Sequence, residues 1–146
     1  MFRNTLNTLK RLGGRRLRYK LLIYTCFGGC ETGVAASKAC IRLWEEHQGE
    51  VKVGCLPAVV IPGKLREMIQ NSDKRILIDA CALKCGAKLA ERFGLPLDRY
   101  LELTTTLHRK KVKQLPSKEL EEEVYKLIKR EVEALLGQPK TQASPS

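Results

Sequence analysis

The chain has 146 residues, of which 43% are hydrophobic and 29% are charged, as is typical of a soluble globular protein. This length supports one domain with a core that needs no disulfide staples, and no apolar run is long enough to span a membrane. Aromatic residues make up only 5%, which argues against a platform on which nucleic-acid bases stack.

The net charge of +11 is concentrated near the N-terminus. Residues 1–20 hold seven of the 27 basic residues and no acid, which leaves 20 basic against 16 acidic residues elsewhere. We therefore expect residues 1–18 to be a flexible basic tail that binds nucleic acid without sequence specificity or is simply solvated. Residues 138–146 are predicted to be a disordered tail, and residues 19–137 the α/β domain. The apolar stretch at 21–27 is too short for a signal peptide, so we expect a cytoplasmic protein.

Apolar runs alternate with helical patterns along the domain. The strands are expected at 19–25, 51–56, 74–79 and 99–104, with a turn at 71–73. The helices are expected at 32–48, 64–70, 83–93 and from Ser117, as N-cap, to Gly137. Cys40 falls on the apolar side of the first helix, where a core position is expected.

The order β-α-β-α-β-α-β-α predicts parallel strands that are joined by right-handed crossovers. The expected fold class is therefore α/β, with a single domain. Its four-stranded, mostly parallel sheet would be doubly wound, of the Rossmann-like or flavodoxin-like type, with helices on both faces.

Five of the six cysteines fall near predicted strand ends. Cys26, Cys55 and Cys81 end the first three strands, while Cys30 and Cys85 each follow four residues after Cys26 and Cys81. Because the carboxyl ends of parallel strands meet at one edge of a sheet, we expect these thiols to lie together. If the turn after the strand is already helical, the four-residue spacing brings each pair within reach of a shared ion.

Clustered cysteines in a reducing compartment favour metal binding or redox chemistry over structural disulfides. Thiolates suit zinc, and iron in a sulfur-rich site is the alternative metal. A tetrahedral zinc site needs four ligands, and our first choice is Cys26, Cys55, Cys81 and Cys85. Cys30 either replaces one of them or stays a free thiol beside the metal. Buried free thiols and a redox dithiol are the competing interpretations.

Two other residues are candidates for supporting roles. Asp79 precedes Cys81 and is expected either to orient a metal ligand through a hydrogen bond or to cap the turn. His108 begins a basic loop after the fourth strand and is a candidate accessory ligand or proton carrier, with a solvent-facing histidine as the alternative. Neither a G-x-G-x-x-G nor a P-loop lysine pattern is present, so nucleotide binding is not supported.

These motifs resemble those of the DGC family, which is named for an Asp-Gly-Cys motif and described as zinc-binding. The resemblance covers roughly residues 20–115 and rests on Cys26-Phe27-Gly28 with Gly33, on Cys55-Leu56, on Ile78-Asp79-Ala80-Cys81 with Cys85, and on the leucine-bearing strand at 100–104. It implies a zinc site and leaves the activity open. Ala80 stands where the family has glycine, and a positive φ at that position would be costly for alanine.

The sequence thus supports three functional hypotheses. The first is a zinc-binding protein that serves metal handling, sensing or structure. The second is a thiol-dependent redox or sulfur-transfer enzyme that uses Cys30 or Cys85, because a helix N-terminus stabilises a thiolate. The third is non-specific nucleic-acid binding through the basic N-terminal tail.

Overall fold

A four-stranded sheet lies at the centre of the computed structural model, which describes residues 18–137. The strands are β1 (Tyr19–Thr25), β2 (Val51–Val53), β3 (Ser72–Asp79) and β4 (Arg99–Glu102). They lie in the order β2-β1-β3-β4, and each neighbouring pair is parallel. The predicted α/β fold class, with a doubly wound sheet, is confirmed.

Helices follow each strand, as the alternating pattern predicted. They are α1 (Glu31–Glu46), a 3₁₀ helix (Leu56–Val60), α2 (Lys64–Gln70), α3 (Cys85–Phe93), α4 (Leu103–Thr106) and α5 (Lys118–Gly137). The start of α5 agrees with its predicted cap, since the Ser117 hydroxyl accepts the N–H of Leu120 at 3.1 Å.

Both faces of the sheet are covered, because side chains alternate along its buried central strands. Leu21 and Ile23 of β1 belong to a core that α1 and α5 complete. Leu22 and Tyr24 belong to a second core, against the 3₁₀ helix, α2 and α3. In this three-layer arrangement, the loops that follow the strands lie at the carboxyl edge of the sheet.

Two strands are shorter than predicted at that edge. The strand β2 ends at Val53, and the chain then winds into the 3₁₀ helix, with Pro57 in the first turn, where an N–H is not needed. The strand β4 ends at Glu102, whose carboxylate accepts the N–H groups of Thr104 and Thr105 at 3.0 Å and so begins α4.

Three further boundaries differ from the prediction. The strand β3 begins at Ser72, within the predicted turn, because Ser72 is buried and pairs with Tyr19. The helix α1 covers Glu31–Glu46 rather than 32–48. The helix α3 begins at Cys85, two residues late, because Lys84 adopts a left-handed conformation with φ of 54°.

The two predicted tails lie outside the described residues, except for Arg18. Its guanidinium donates to the Gln70 carbonyl at 2.8 Å and pairs with the Asp73 carboxylate. The nucleic-acid hypothesis, which rests on the basic tail, therefore stays a prediction. Within residues 18–137, no helix has the length and hydropathy that a membrane crossing requires.

Candidate metal centre

The loops after the strands meet at the carboxyl edge of the sheet. The chain leaves β1 towards β2 on one side and later enters β3 on the other side, so the topological switch point lies between β1 and β3. Ligands of open α/β sheets bind at this point. Cys26 directly follows β1, and Cys81 lies two residues after β3. These two thiol positions therefore flank the switch point.

The loop after β1 is packed tightly against the start of α1. A Cβ atom on Gly33 would lie 2.2 Å from the carbonyl oxygen of Gly28, so only glycine fits at this position. Within the loop, Phe27 adopts a left-handed conformation with φ of 49°, and its side chain is exposed. The loop therefore leaves β1 by a sharp turn and is not helical between Cys26 and Cys30.

Ala80 joins the loop after β3 to the loop after β1. Its N–H donates to the Cys26 thiol at 3.4 Å, and its carbonyl accepts the Thr32 hydroxyl at 2.9 Å. The Thr32 hydroxyl in turn lies 3.4 Å from the Cys30 sulfur. Both cysteines of the first loop are thus linked to the residue that immediately precedes Cys81.

Ala80 avoids the backbone cost that a positive φ would bring at this position. Among residues 18–137, the non-glycine residues with positive φ are Phe27, Lys84 and His108. Ala80 is only 1% exposed, so this position demands a small residue and not a flexible backbone. The left-handed residue of this loop is Lys84, four positions later.

Asp79 caps α3. Its carboxylate accepts the N–H groups of Gly86 and Ala87 at 2.9 Å each and the Tyr100 hydroxyl at 2.8 Å. A Cβ atom on Gly86 would lie 2.6 Å from the same carboxylate, so glycine permits this contact. Burial and the hydrogen bond to Asp79 raise the pKa of Tyr100. Of the two predicted roles, the observed contacts are those of a cap, which fixes the helix that begins at Cys85.

Cys81 and Cys85 are not related by a helical turn. Lys84 is left-handed, and its N–H donates to the Cys81 carbonyl at 3.1 Å to close a tight turn. Cys85 is the exposed first residue of α3, while Cys81 is partly buried. The helical relation between the paired thiols therefore does not hold for either pair.

Cys55 lies two residues beyond the end of β2, at the N-cap position of the 3₁₀ helix, and is exposed. Gly54 places it there, because a Cβ on Gly54 would lie 2.3 Å from the Tyr24 ring. The Tyr24 hydroxyl is buried without a hydrogen-bond partner among the described residues, and burial raises the pKa of Tyr24 to about 12. The sequence pattern gave no indication of this glycine–tyrosine contact.

His108 follows α4, and its proposed role as an accessory ligand or proton carrier stays a prediction. His108 lines an open cleft together with Cys81. Cys40, by contrast, is fully buried in the core between α1 and the sheet. Burial, with a smaller effect of Cys26, raises the pKa of the Cys40 thiol to about 12, in agreement with the predicted core position.

All six cysteines are free thiols, and five of them lie in the edge loops or at the helix ends beside them. Direct contacts connect the loops that carry Cys26, Cys30 and Cys81, while Cys55 and Cys85 lie at separate helix starts. Across residues 18–137, no three His, Cys, Asp or Glu side chains are grouped so that they could hold one metal ion. The donor set has the soft chemistry that suits zinc, and its thiols are not gathered around one point.

Comparison with known proteins agrees with the cysteine motifs. The model of the DGC domain family matches residues 22–129, from β1 into α5, and includes all five edge cysteines. No curated protein and no solved structure matches the chain in the other two comparisons. The match covers more than half of the 146 residues. The resemblance in the cysteine motifs is thereby confirmed, and the chain belongs to the DGC domain family.

Proposed function

We propose that this is a zinc-binding protein in which Cys26, Cys55, Cys81 and Cys85 supply the thiolate ligands. The observation that carries the proposal is the hydrogen bond from the Ala80 N–H to the Cys26 sulfur at 3.4 Å. This bond joins the loops on the two sides of the switch point, and Cys81 is the residue that follows Ala80. A backbone N–H directed at sulfur is also the kind of bond that supports a metal-bound thiolate.

Burial separates the four proposed ligands from Cys30. Cys55 and Cys85 are exposed and Cys26 and Cys81 partly buried, so each can reach an ion that enters from solvent. Cys30 is 2% exposed and is in contact with the Thr32 hydroxyl, so it is the thiol that a four-ligand site leaves over. We infer that ion binding draws the loops after β1, β2 and β3 closer together.

The bound ion would supply a crosslink between these loops, and Lewis acidity if one of its positions is open to solvent. The proposed role is metal handling, sensing or structural support, with zinc as the preferred metal and iron as the alternative. The cytoplasm is the proposed location, because its reducing poise keeps the thiols available as ligands.

Metal analysis of the full chain tests this function. Purified under reducing conditions without chelators, the protein is expected to carry about one equivalent of zinc or iron. The variants Cys26→Ala and Cys81→Ala are each expected to lower the metal content below about half an equivalent, because each removes one of four ligands.

Cys40→Ala is the matched control, since it removes a thiol that is fully buried in the core and closed to an ion that enters from solvent. This variant is expected to keep the metal content of the unmodified chain. Less than about half an equivalent in the unmodified chain, or equal loss in Cys40→Ala and Cys81→Ala, would contradict the proposal.

A thiol-dependent redox or sulfur-transfer enzyme is the second candidate. It is favoured by Cys85, an exposed thiol at the first position of α3, where the positive end of the helix stabilises negative charge. Its test is the rate at which Cys85 is alkylated at mildly acidic pH. A rate no faster than that of a free thiol in solution would exclude this function.

A further inference from the structure

An open cleft of about 660 Å³ lies between the loop after β3 and the segment after α4. Cys81, Ala82 and Leu83 form one wall, and Thr104, Thr105 and the run His108–Lys111 form the other. This volume is in the range of small-molecule sites in proteins. The cleft lies at the carboxyl edge of the sheet, beside β3 and β4, where ligands of such folds bind.

The charges in the cleft are of one sign. Arg109, Lys110 and Lys111 are all exposed in its wall, and no acidic residue lines it among the described residues. Two buried acids adjoin the wall: Glu31 pairs with Arg109, and Glu102 accepts the N–H groups of Thr104 and Thr105. The cleft therefore offers Lys110, Lys111 and the His108 imidazole to an anion that enters from solvent, while Arg109 is shared with Glu31.

The basic run is held in place and is not a loose loop. Arg109 forms an ion pair with Glu31 at 3.2 Å, and the Gln114 amide donates to the same carboxylate at 3.1 Å. Glu31 is 4% exposed and is the first residue of α1, and its N–H donates to the Val112 carbonyl at 2.9 Å. These bonds anchor the segment on both sides of Lys110 and Lys111 to a long helix.

His108 occupies a backbone position that usually belongs to glycine. Its φ is 53°, its N–H donates to the Thr105 carbonyl, and the Arg109 N–H donates to the Thr104 carbonyl at 2.8 Å. These are the two bonds of a Schellman motif, in which glycine normally takes the left-handed residue. A histidine here costs backbone strain, and its side chain lies in the wall of the cleft.

We propose that this cleft binds a small organic phosphate. Phosphate matches several cationic donors at once, because it carries up to two negative charges on oxygens that accept charge-assisted hydrogen bonds. The opposite wall of Ala82 and Leu83 is apolar, so it packs against the organic part of the ligand. The cleft adjoins the proposed zinc site, because Cys81 lines the cleft and is also a proposed ligand. No metal takes part in holding the phosphate, so chelator treatment separates the two binding events.

Titration of the full chain with phenyl phosphate, after chelator treatment and at low salt, tests the proposal by NMR and calorimetry. We expect saturable binding to one site, with amide shift changes at Thr105 and at 108–111. Lys110→Gln combined with Lys111→Gln is expected to weaken binding at least about tenfold, because two charged donors are lost. The matched control combines Lys126→Gln with Arg130→Gln on α5, which removes two exposed charges outside the cleft and is expected to change the affinity less than about twofold.

The variant His108→Gly distinguishes the contribution of the imidazole from that of the left-handed backbone. Glycine keeps the left-handed conformation, so the thermal midpoint should not fall, while the affinity for phenyl phosphate should drop about threefold. No binding of phenyl phosphate, equal loss in both double variants, or equal affinity for inorganic phosphate would each overturn the proposal. Binding of single-stranded RNA that depends on Lys110 and Lys111, without any binding of phenyl phosphate, would also overturn it.

Discussion

The chain contains two strand-to-helix junctions with the same cysteine spacing and different surroundings. At the first, Cys30 is 2% exposed and leads directly into the sixteen-residue α1. At the second, Cys85 is exposed and begins a nine-residue helix that Asp79 caps. Each junction turns through one left-handed residue, Phe27 or Lys84. Equal spacing in the sequence therefore yields one thiol sealed in the protein and one open to reagents and ions.

Glycine substitutions at the two junctions should have unequal effects. Gly33→Ala is expected to lower the free energy of unfolding by about 3 kcal/mol, because its Cβ would meet the backbone of Gly28 at 2.2 Å. Gly86→Ala is expected to cost about 1–2 kcal/mol, because its Cβ meets side-chain atoms of Asp79 and Leu77, at 2.6 and 2.9 Å, and not backbone atoms. Urea denaturation of both variants measures the difference.

Gly29→Ala is the control for the first junction. Nothing lies within 4 Å of a Cβ at this position, so the change in unfolding free energy should stay within about 0.5 kcal/mol. A Gly33→Ala variant as stable as Gly29→Ala would show that the first loop is not packed against α1.

Cys30 and Cys85, the second cysteines of the two junctions, should differ in reactivity. With metal removed, iodoacetamide should modify Cys85 on the order of a hundred times faster than Cys30, because Cys30 reacts only after local opening. Mass spectrometry of the peptides measures both rates in one sample. Cys40 is an internal reference for protection, since burial raises its pKa to about 12. Equal rates at Cys30 and Cys85 would abolish the distinction between the junctions.

The second junction should depend on its cap. Asp79→Ala is expected to lower the free energy of unfolding by about 2 kcal/mol, because two helix N–H groups and the Tyr100 hydroxyl lose their acceptor. Tyr100→Phe removes only one of these bonds and is expected to cost about 1 kcal/mol. Thermal unfolding of both variants measures the effects. A cost in Asp79→Ala no greater than in Tyr100→Phe would mean that the cap contributes little.

Local patterns were sufficient to predict the sheet and the edge at which the thiols lie. Apolar runs that alternate with helical patterns predict a parallel sheet, and parallel strands place their carboxyl ends at one edge. The helical relation within each cysteine pair could not be predicted correctly, because Phe27 and Lys84 are left-handed without being glycine. Such conformations are set by tertiary packing and carry little signal in a single sequence.

Contacts between distant parts of the chain account for the other misses. Thr32 and Ala80 are 48 residues apart, and Tyr100 and Asp79 are 21 apart, so no short motif contains either pair. The close fit of Gly54 to Tyr24 depends likewise on the packing of two strands. One position did carry a usable signal, since a glycine that directly follows Cys85 at a helix start suggests a close neighbour.

The buried position of Ala80 bears on how members of this family are recognised. Its backbone needs no left-handed conformation, while its N–H and carbonyl serve the Cys26 thiol and the Thr32 hydroxyl. Both bonds are made by main-chain atoms, so glycine and alanine can form them equally well. A search pattern that insists on glycine between Asp79 and Cys81 would pass over chains like this one. The physical requirement is a small side chain between an aspartate and a cysteine.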